Sequence, residues 1–407
     1  MKLRCLGDFV ELRQGLAINK GSAHLVSDIQ DITYCYPLLR IADMMDSNFS
    51  KFVSKDVNSS VIANPQDIIY TRTGQIGLAF RGMQGVVHNN SFIVSLKTDE
   101  LEKDYLYTVL NSNFVKKQAN SQAKNSVQPD LTHTMFKSIV IPVPDSREEQ
   151  NRISKIINNI NQKIQTNIQI NQELEAMAKT LYDYWFVQFD FPDQNGKPYK
   201  SSGGKMVYNP ELKREIPEGW GVEKLDSLLK IGKETTNPKK FPNEEFKYYS
   251  IPEFDTTGTY SLERGESIKS NKFKVEKNDL LVSKLNPWFN RVIYNLEENA
   301  ISSTEFIVWK TFNRFEKNFL YQVATGKEFI EYCTRFATGT SNSHKRVSPD
   351  IMIGFQIPFE KKYIQKFGEI IDSIRTQVLQ NNEQNQELTQ LCDWLLPMLM
   401  NGQVKVE

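Results

Sequence analysis

From Arg147 to Phe186 the chain has neither proline nor glycine, and its apolar and small residues fall alternately four and three positions apart. The series runs Ile153, Ile157, Ile160, Ile164, Asn167, Asn171, Leu174, Ala178, Leu181 and Trp185. This spacing is a heptad seam and predicts one long helix built to pair with another. A second series reads Phe367, Ile371, Ile374, Val378, Asn381, Asn385, Leu388, Cys392, Leu395 and Leu399, with Pro397 expected to end or kink its helix. At about 1.5 Å per residue, some 40 residues give a rod of about 60 Å. Each seam carries two asparagines where apolar residues would bind more strongly. Either they lie beside the interface and are partly solvated, or they are buried and fix the register of an antiparallel pair, because a slipped pairing leaves an amide without its partner.

The two series are copies. Asn171-Gln172-Glu173-Leu174 recurs as Asn385-Gln386-Glu387-Leu388, an offset of 214 residues that also aligns Ile157 with Ile371 and Ile164 with Val378. Ahead of each series the pattern is mixed α and β. Strand-like runs at Asp67 to Tyr70, Phe92 to Leu96 and Ser138 to Val143 have counterparts at Asp279 to Ser283, Glu305 to Trp309 and Phe355 to Phe359. Helical patterns span about Asp104 to Ala119 and Asn318 to Phe336. A globular unit followed by a long helix, used twice, predicts a pseudo-two-fold molecule with two related surfaces, suited to a target with two half-sites.

Composition narrows the class. At 407 residues the chain is long enough for several domains. No stretch approaches the roughly 20 apolar residues of a membrane span, and no basic-then-apolar leader opens the sequence. The expectation is a soluble cytoplasmic protein with no membrane partner. Cys5, Cys35, Cys333 and Cys392 lie far apart, without the paired spacing of a zinc site or a disulfide framework. Charge is nearly balanced: residues 1–145 carry 15 basic and 14 acidic side chains, and residues 191–360 carry 25 and 23. That balance argues against unaided nucleic-acid binding, although specific readout needs only a few well-placed donors.

Between helix and final strand each copy has a polar loop, 120–128 (NSQAKNSVQ) and 338–348 (TGTSNSHKRVS). Their Lys, Arg, Asn, Gln and Ser side chains can donate to phosphates or read base edges, and the loops differ where their flanks agree. Simple solvated loops would also drift in this way. A second surface is Thr71-Arg72-Thr73-Gly74, matched by Ser283-Lys284-Leu285-Asn286, each directly after a strand. Catalytic patterns are missing. His24, His88, His133 and His344 have no metal-ligand spacing, and there is no P-loop. Asn286-Pro287-Trp288-Phe289 resembles the Asn-Pro-Pro-aromatic motif of adenine N6 methyltransferases, but it lacks the second proline and an accompanying Gly-rich cofactor turn. A turn after a strand explains it better.

Taken in order, these segments resemble the specificity subunit of Type I restriction-modification enzymes. The resemblance is strongest from Arg147-Glu148-Glu149-Gln150 through the heptads to Tyr184-Trp185-Phe186-Val187-Gln188-Phe189. It continues through Phe191-Pro192, Asn195-Gly196-Lys197-Pro198-Tyr199 and Ile216-Pro217-Glu218-Gly219-Trp220. It implies an α/β (mixed α+β) fold: target recognition domains at 1–145 and 210–360, spacer helices at 146–190 and 361–407 paired as an antiparallel coiled coil, and a linker at 191–209. It further implies a non-catalytic chain that reads a bipartite double-stranded DNA site, one half per domain, with the helices as a ruler. Two modification subunits and the restriction subunits would be its partners, carrying S-adenosylmethionine, ATP and Mg, so that this chain needs no cofactor or metal of its own.

Loop position and side-chain chemistry select Arg72, Lys124, Asn125 and Gln128 as DNA contacts in the first domain. In the second they select Lys284, Arg291, Asn342, His344, Lys345 and Arg346. The expected spacer seam is Ile157, Ile160, Ile164, Asn167, Asn171 and Leu174 against Ile371, Ile374, Val378, Asn381, Asn385 and Leu388. From another class, a coiled-coil scaffold that assembles partners without reading DNA fits the same helices.

Overall fold

A computed structural model of the protein describes residues 2–123, 129–339, 344–400 and 403–404. It resolves into two compact units, Met1–Ile168 with Asn382–Glu407, and Gln169–Asn381. Each unit therefore combines a globular part with a portion of both long helices. This division cuts across the domain boundaries expected from the sequence, because each helical portion packs into the core of its own unit.

In unit 1 a four-stranded antiparallel sheet has the order Val10–Gln14, Ser91–Leu96, Ile68–Thr71, Ala79–Phe80. A second sheet of short strands has the order Val26–Ser27, Phe52–Val53, Tyr36–Leu39, Gly85–Val87, Ile62–Ala63, with Leu38 and Leu39 parallel to Val86 and Val87. Lys2–Cys5 pairs with Val140–Val143 and brings the two ends of the globular part together. Unit 2 repeats the plan. Its four-stranded sheet runs Leu229–Gly232, Phe306–Thr311, Leu280–Ser283, Val292–Tyr294, and its second sheet again contains one parallel pair, Tyr248 and Tyr249 beside Ile301 and Ser302. Gly221–Lys224 pairs with Gln356–Phe359.

Alternation along the central strands accounts for these layers. Ile68 and Tyr70 face one apolar cluster, filled from the helices Lys103–Leu110 and Asn113–Ala123, while Ile69 faces a second cluster shared with Leu39 and Val87 of the other sheet. Leu280 and Val282 are likewise separated from Leu281. A strand covered on both faces reads as an unbroken apolar run, which is why these segments are legible in the sequence. The single helical patterns expected near 104–119 and 318–336 are each two helices, broken at Asn111-Ser112 and at Gly326.

The long helices span Arg147–Tyr182, continued by a π-turn at Asp183–Val187, and Lys361–Met400. Pro397, expected to end or kink the second helix, sits inside it, three residues before Met400. A proline removes one backbone donor, and this helix has only one turn left to lose. The seam contacts run antiparallel within each unit. In unit 1 the Asn167 amide donates to Gln384 Oε1 (2.8 Å) and Asn385 Oδ1 (2.9 Å), and Ile153 and Ile157 share a core with Leu396 and Leu399. In unit 2 Asn381 donates to Asn171 Oδ1 (2.7 Å), Asn171 donates to the Val378 carbonyl (3.3 Å), and Arg375 pairs with Glu175 (2.6 Å). Asn167 and Asn381 are buried, so of the two readings open in the sequence the structure favours the buried, register-fixing one.

The segment expected to be a linker is anchored at its start, although most of 194–208 is exposed. Phe191 lies against Tyr363 (4.1 Å between ring centroids), Tyr199 (4.8 Å) and Trp220 (5.0 Å), and with Trp185, Phe186 and Phe189 it builds an aromatic plug at the end of the first helix. Next to it, Gly368 comes so close to Phe315 that an added Cβ would lie 2.5 Å from its carbonyl oxygen. Two cations fill the remaining joint between sheet and helices. Lys317 is fully buried with Nζ 3.5 Å from the Tyr294 ring centre and 3.2 Å from Asn278 Oδ1, and Arg375 stacks on Tyr294 (4.8 Å) and Tyr321 (4.3 Å). Burial pushes the Lys317 ammonium down from 10.5 to about 6, with Asp279 opposing and Arg375 adding to the shift.

Two predictions follow from these joints. Between pH 6 and 10.5 the unfolded chain holds a proton on Lys317 that the folded chain lacks, so this residue makes stability rise with pH across that window. Lys317→Met should flatten that rise and stabilise the protein at pH 7 by roughly 1–4 kcal/mol, read from denaturant midpoints at a series of pH values. At the seam, Asn381→Leu should cost about 1–3 kcal/mol by stranding the Asn171 oxygen, whereas Asn171→Leu combined with Asn381→Leu should recover most of the loss.

Candidate nucleic-acid interface

Both units end their central strand in a loop braced by the same backbone frame. In unit 1 the Arg72 N–H donates to the Asn90 carbonyl (2.8 Å), and the Leu131 N–H donates to the Arg72 carbonyl (3.0 Å). In unit 2 the Lys284 N–H donates to the Glu305 carbonyl (3.0 Å), and the Val347 N–H donates to the Lys284 carbonyl (3.0 Å). Thr73 bridges to Asp130 in one, and Leu285 bridges to Arg346 in the other. In unit 2 the two loop regions singled out in the sequence thus meet. In unit 1 the strand-end loop meets Asp130 and Leu131, which follow the segment 120–128, and residues 120–123 of that segment belong to the helix Asn113–Ala123 rather than to a loop. Lys124, Asn125, Gln128 and Asn342 lie outside the described residues.

On this shared frame the side chains differ in sign. The Arg72 guanidinium makes a two-point pair with Asp130 (2.9 and 2.5 Å), donates a third bond to Gln14 Oε1 (3.2 Å) and lies over Phe92. His133 Nε2 is 3.2 Å from the same Gln14 oxygen. Burial, helped by the nearby Arg72 and Lys137 charges, lowers the His133 pKa, so its imidazole is neutral at pH 7. A neutral ring can donate or accept, as can the Gln14 amide. In unit 2 the cation stands on the opposite segment: Arg346, in the place of Asp130, makes a two-point pair with Glu305 (2.9 and 3.0 Å). Lys284 and Lys345 have no side-chain partner among the described residues, and His344 is exposed beside them.

The Lys345 segment is held firmly. Its N–H donates to Asn286 Oδ1 (3.0 Å), its carbonyl accepts from the Asn286 N–H (2.7 Å), and Thr338 and Arg346 exchange both backbone bonds (2.9 and 2.8 Å). Asn286 adopts a left-handed conformation (φ 47°), as does Asn290 (φ 49°). The equivalent loop of unit 1 meets the same requirement with Gly74 (φ 75°) and Gly77 (φ 98°). Pro287–Phe289 form one 3₁₀ turn, the turn after a strand that the sequence suggested for this motif.

Arg291 is a correction. It is only 9% exposed, its guanidinium makes a two-point pair with Asp255 (2.5 and 2.7 Å), and it also donates to the Leu285 carbonyl (3.4 Å). An arginine so enclosed braces the loop, and its guanidinium is turned to Asp255 and the Leu285 carbonyl rather than to solvent. Sequence reasoning chose it because a cation shortly after a strand looks the same whether it points out or in. It missed Gln14 and His133, which only strand pairing brings beside Arg72. Among the described residues no group of three or more His, Cys, Asp or Glu side chains is arranged to hold a metal ion, and no helix is long and apolar enough to cross a membrane.

The half-exposed Arg72–Asp130 pair yields a measurable coupling. Arg72→Ala and Asp130→Ala should each destabilise unit 1 by about 1 kcal/mol, and the double variant should cost little more than either alone. Additive losses in that cycle would show that the pair does not act as a unit.

Residues 1–176 match the family model of the Type I restriction modification DNA specificity domain. The chain is 24% identical, over 84% of its length and 78% of the relative, to the Type I restriction enzyme MjaIX specificity subunit of Methanocaldococcus jannaschii. It is 23% identical to the MjaVIII specificity subunit of the same organism, over 99% of this chain and 92% of the relative. Among solved structures, the S subunit of a Type-I restriction-modification system from M. genitalium covers 98% of this chain with 95% of its own, at a TM-score of 0.55 and 14% identity, a likeness of fold.

Proposed function

We propose that the chain is a specificity subunit of a Type I restriction enzyme and that it reads a bipartite, asymmetric double-stranded DNA site, one half with each globular unit, a reading supported by the match of residues 1–176 and by the likeness to known specificity subunits. The observation that carries this reading is the pair of strand-end loops: one backbone frame, used twice, with different side chains and differently placed ion pairs. Two scaffolds of the same topology can address two half-sites alike in geometry, while different side chains make the half-sites different in sequence. Base edges need donors and acceptors at fixed positions, and the bridged loops supply them on a rigid sheet edge rather than on a free tip.

In this reading Gln14, Arg72 and His133 face one half-site, and Lys284, His344, Lys345 and Arg346 face the other. The salt-bridged arginines are held in orientation until a phosphate or guanine replaces the carboxylate. The long helices set the number of unread base pairs between the halves, and the buried asparagines keep that number fixed by forbidding slippage. Methylation of adenine with S-adenosylmethionine, and ATP-dependent restriction with Mg, belong to two modification subunits and to restriction subunits that this chain directs. The near-neutral charge suits a subunit whose partners share in enclosing the DNA.

Genome-wide mapping of N6-methyladenine tests this directly, in cells expressing the chain with its modification subunit and in cells lacking the chain. A two-part motif with a fixed gap should vanish on deletion. Arg346→Ala should then relax one base position in one half at a cost of about 1–3 kcal/mol, whereas Lys284→Ala should weaken all sequences alike. An unchanged methylome beside an active modification subunit would leave a scaffold that does not read DNA.

A further inference from the structure

We propose that Trp288 and Phe289 form an apolar wedge that stacks against a base step in the half-site addressed by unit 2; this deepens the DNA-reading function and rests on it. The two rings are neighbours (6.0 Å between centroids) and stand out from the surface, 38% and 58% exposed. Large exposed aromatics are costly in water, and here the backbone beneath them is braced on every side. Left-handed asparagines flank the turn, the Phe289 N–H donates to the Asn286 carbonyl (3.1 Å), and the Asn290 N–H donates to the Pro287 carbonyl (3.0 Å). The Phe289 ring rests on the Arg291 guanidinium (4.5 Å), itself locked by Asp255. The buried Arg291 thus supports the Phe289 ring as a positioning residue, and Trp288 stands beside that ring.

The surroundings indicate what meets them. Lys284 opens the same loop, and Lys345 is bonded through its backbone to Asn286, the residue before the turn. Flat apolar surfaces bordered by cations complement a polymer of stacked bases with an anionic backbone. The corresponding loop of unit 1 has no such feature: Gln75 and Ile76 occupy the tip, and Ile76 is buried. The wedge thus belongs to one half-site only, and it would make that half sensitive to how easily a base step opens rather than only to the bases it displays.

The test uses the complex of this chain with its modification subunits and duplexes carrying the mapped site, with 2-aminopurine placed in turn through the unit 2 half-site. The wild-type complex should raise probe fluorescence at one step distinct from the methylated adenine. Trp288→Ala combined with Phe289→Ala should abolish that signal and weaken binding roughly 5- to 100-fold, without changing the slope of affinity against salt. Trp288→Phe should restore part of both. Unchanged affinity and fluorescence in the alanine variant would overturn the wedge while leaving the DNA-reading function standing. So would a folded variant, its melting temperature matching wild type, that no longer assembles with the modification subunits, since the rings would then contact protein. If the wild-type complex itself bound no duplex in a sequence-dependent way, both the function and the wedge would fall.

Discussion

Antiparallel pairing of helical segments from distant parts of the chain is the constraint on which the rest of this structure depends. In unit 1, Leu396 and Leu399 enter the same core as Leu6, Phe136 and Ile157, so residues near the end of the chain complete a core begun near its start. In unit 2, Phe367 and Ile371 do the same for Trp309 and Phe319. Unit 1 is not closed until a helical portion arrives from far along the sequence, whereas unit 2 is one continuous stretch, Gln169–Asn381, with a helical portion at each end. Apolar seam residues provide the attraction, and it is undirected: a one-turn slip would bury nearly as much. Direction comes from the amides. The Asn171–Asn381 bond and the fork from the Asn167 amide nitrogen to Gln384 and Asn385 form in one register, while the Asn167 Oδ1 is buried without a hydrogen-bond partner among the described residues. In a buried setting the cost of missing that register, about 1–3 kcal/mol for each stranded group, exceeds any small gain from alternative packing.

Rigidity carried by the helices is passed to the sheets through unusually polar joints. In unit 2 Arg375 touches both helices and the globular part at once, paired with Glu175 and sandwiched by Tyr294 and Tyr321. Lys317 lies alongside, fully buried and with its charge disfavoured. An apolar joint would hold more tightly, but the polar one accepts a single arrangement, the same exchange of stability for definition that the seam asparagines make.

The strand-end loops show how one scaffold supports two chemistries. Their backbone bonds are identical in kind, and the left-handed positions fall at the same places, filled by glycine in one unit and asparagine in the other. What the frame fixes is where side chains emerge. What emerges is unconstrained by folding, so an aspartate of one unit can be replaced by an arginine in the other, its carboxylate partner coming from a different segment, and a buried isoleucine tip can be replaced by exposed Trp288 and Phe289, with no change in topology.

The sequence by itself determined the duplication, the long helices, the central strands and the absence of familiar catalytic motifs. Each is a local or periodic signal: a heptad seam, a two-faced apolar run such as Ile68-Ile69-Tyr70, a spacing of histidines. It also drew attention to the two strand-end loops, because Arg72 and Lys284 directly follow strands. Tertiary structure alone decided the five-stranded sheets, whose strands of two to five residues are too short to show a period. It alone decided that Gln14 and His133 stand beside Arg72, since they lie 119 residues apart and meet only through strand register. It placed Arg291 inside and Phe289 outside, although both follow the same strand, and it anchored Phe191, at the start of the expected linker, against Tyr363. The physical reason is common to all of these: periodicity reports which face of an element is buried, but which distant group a side chain meets is set by pairing and packing, and no local pattern encodes it.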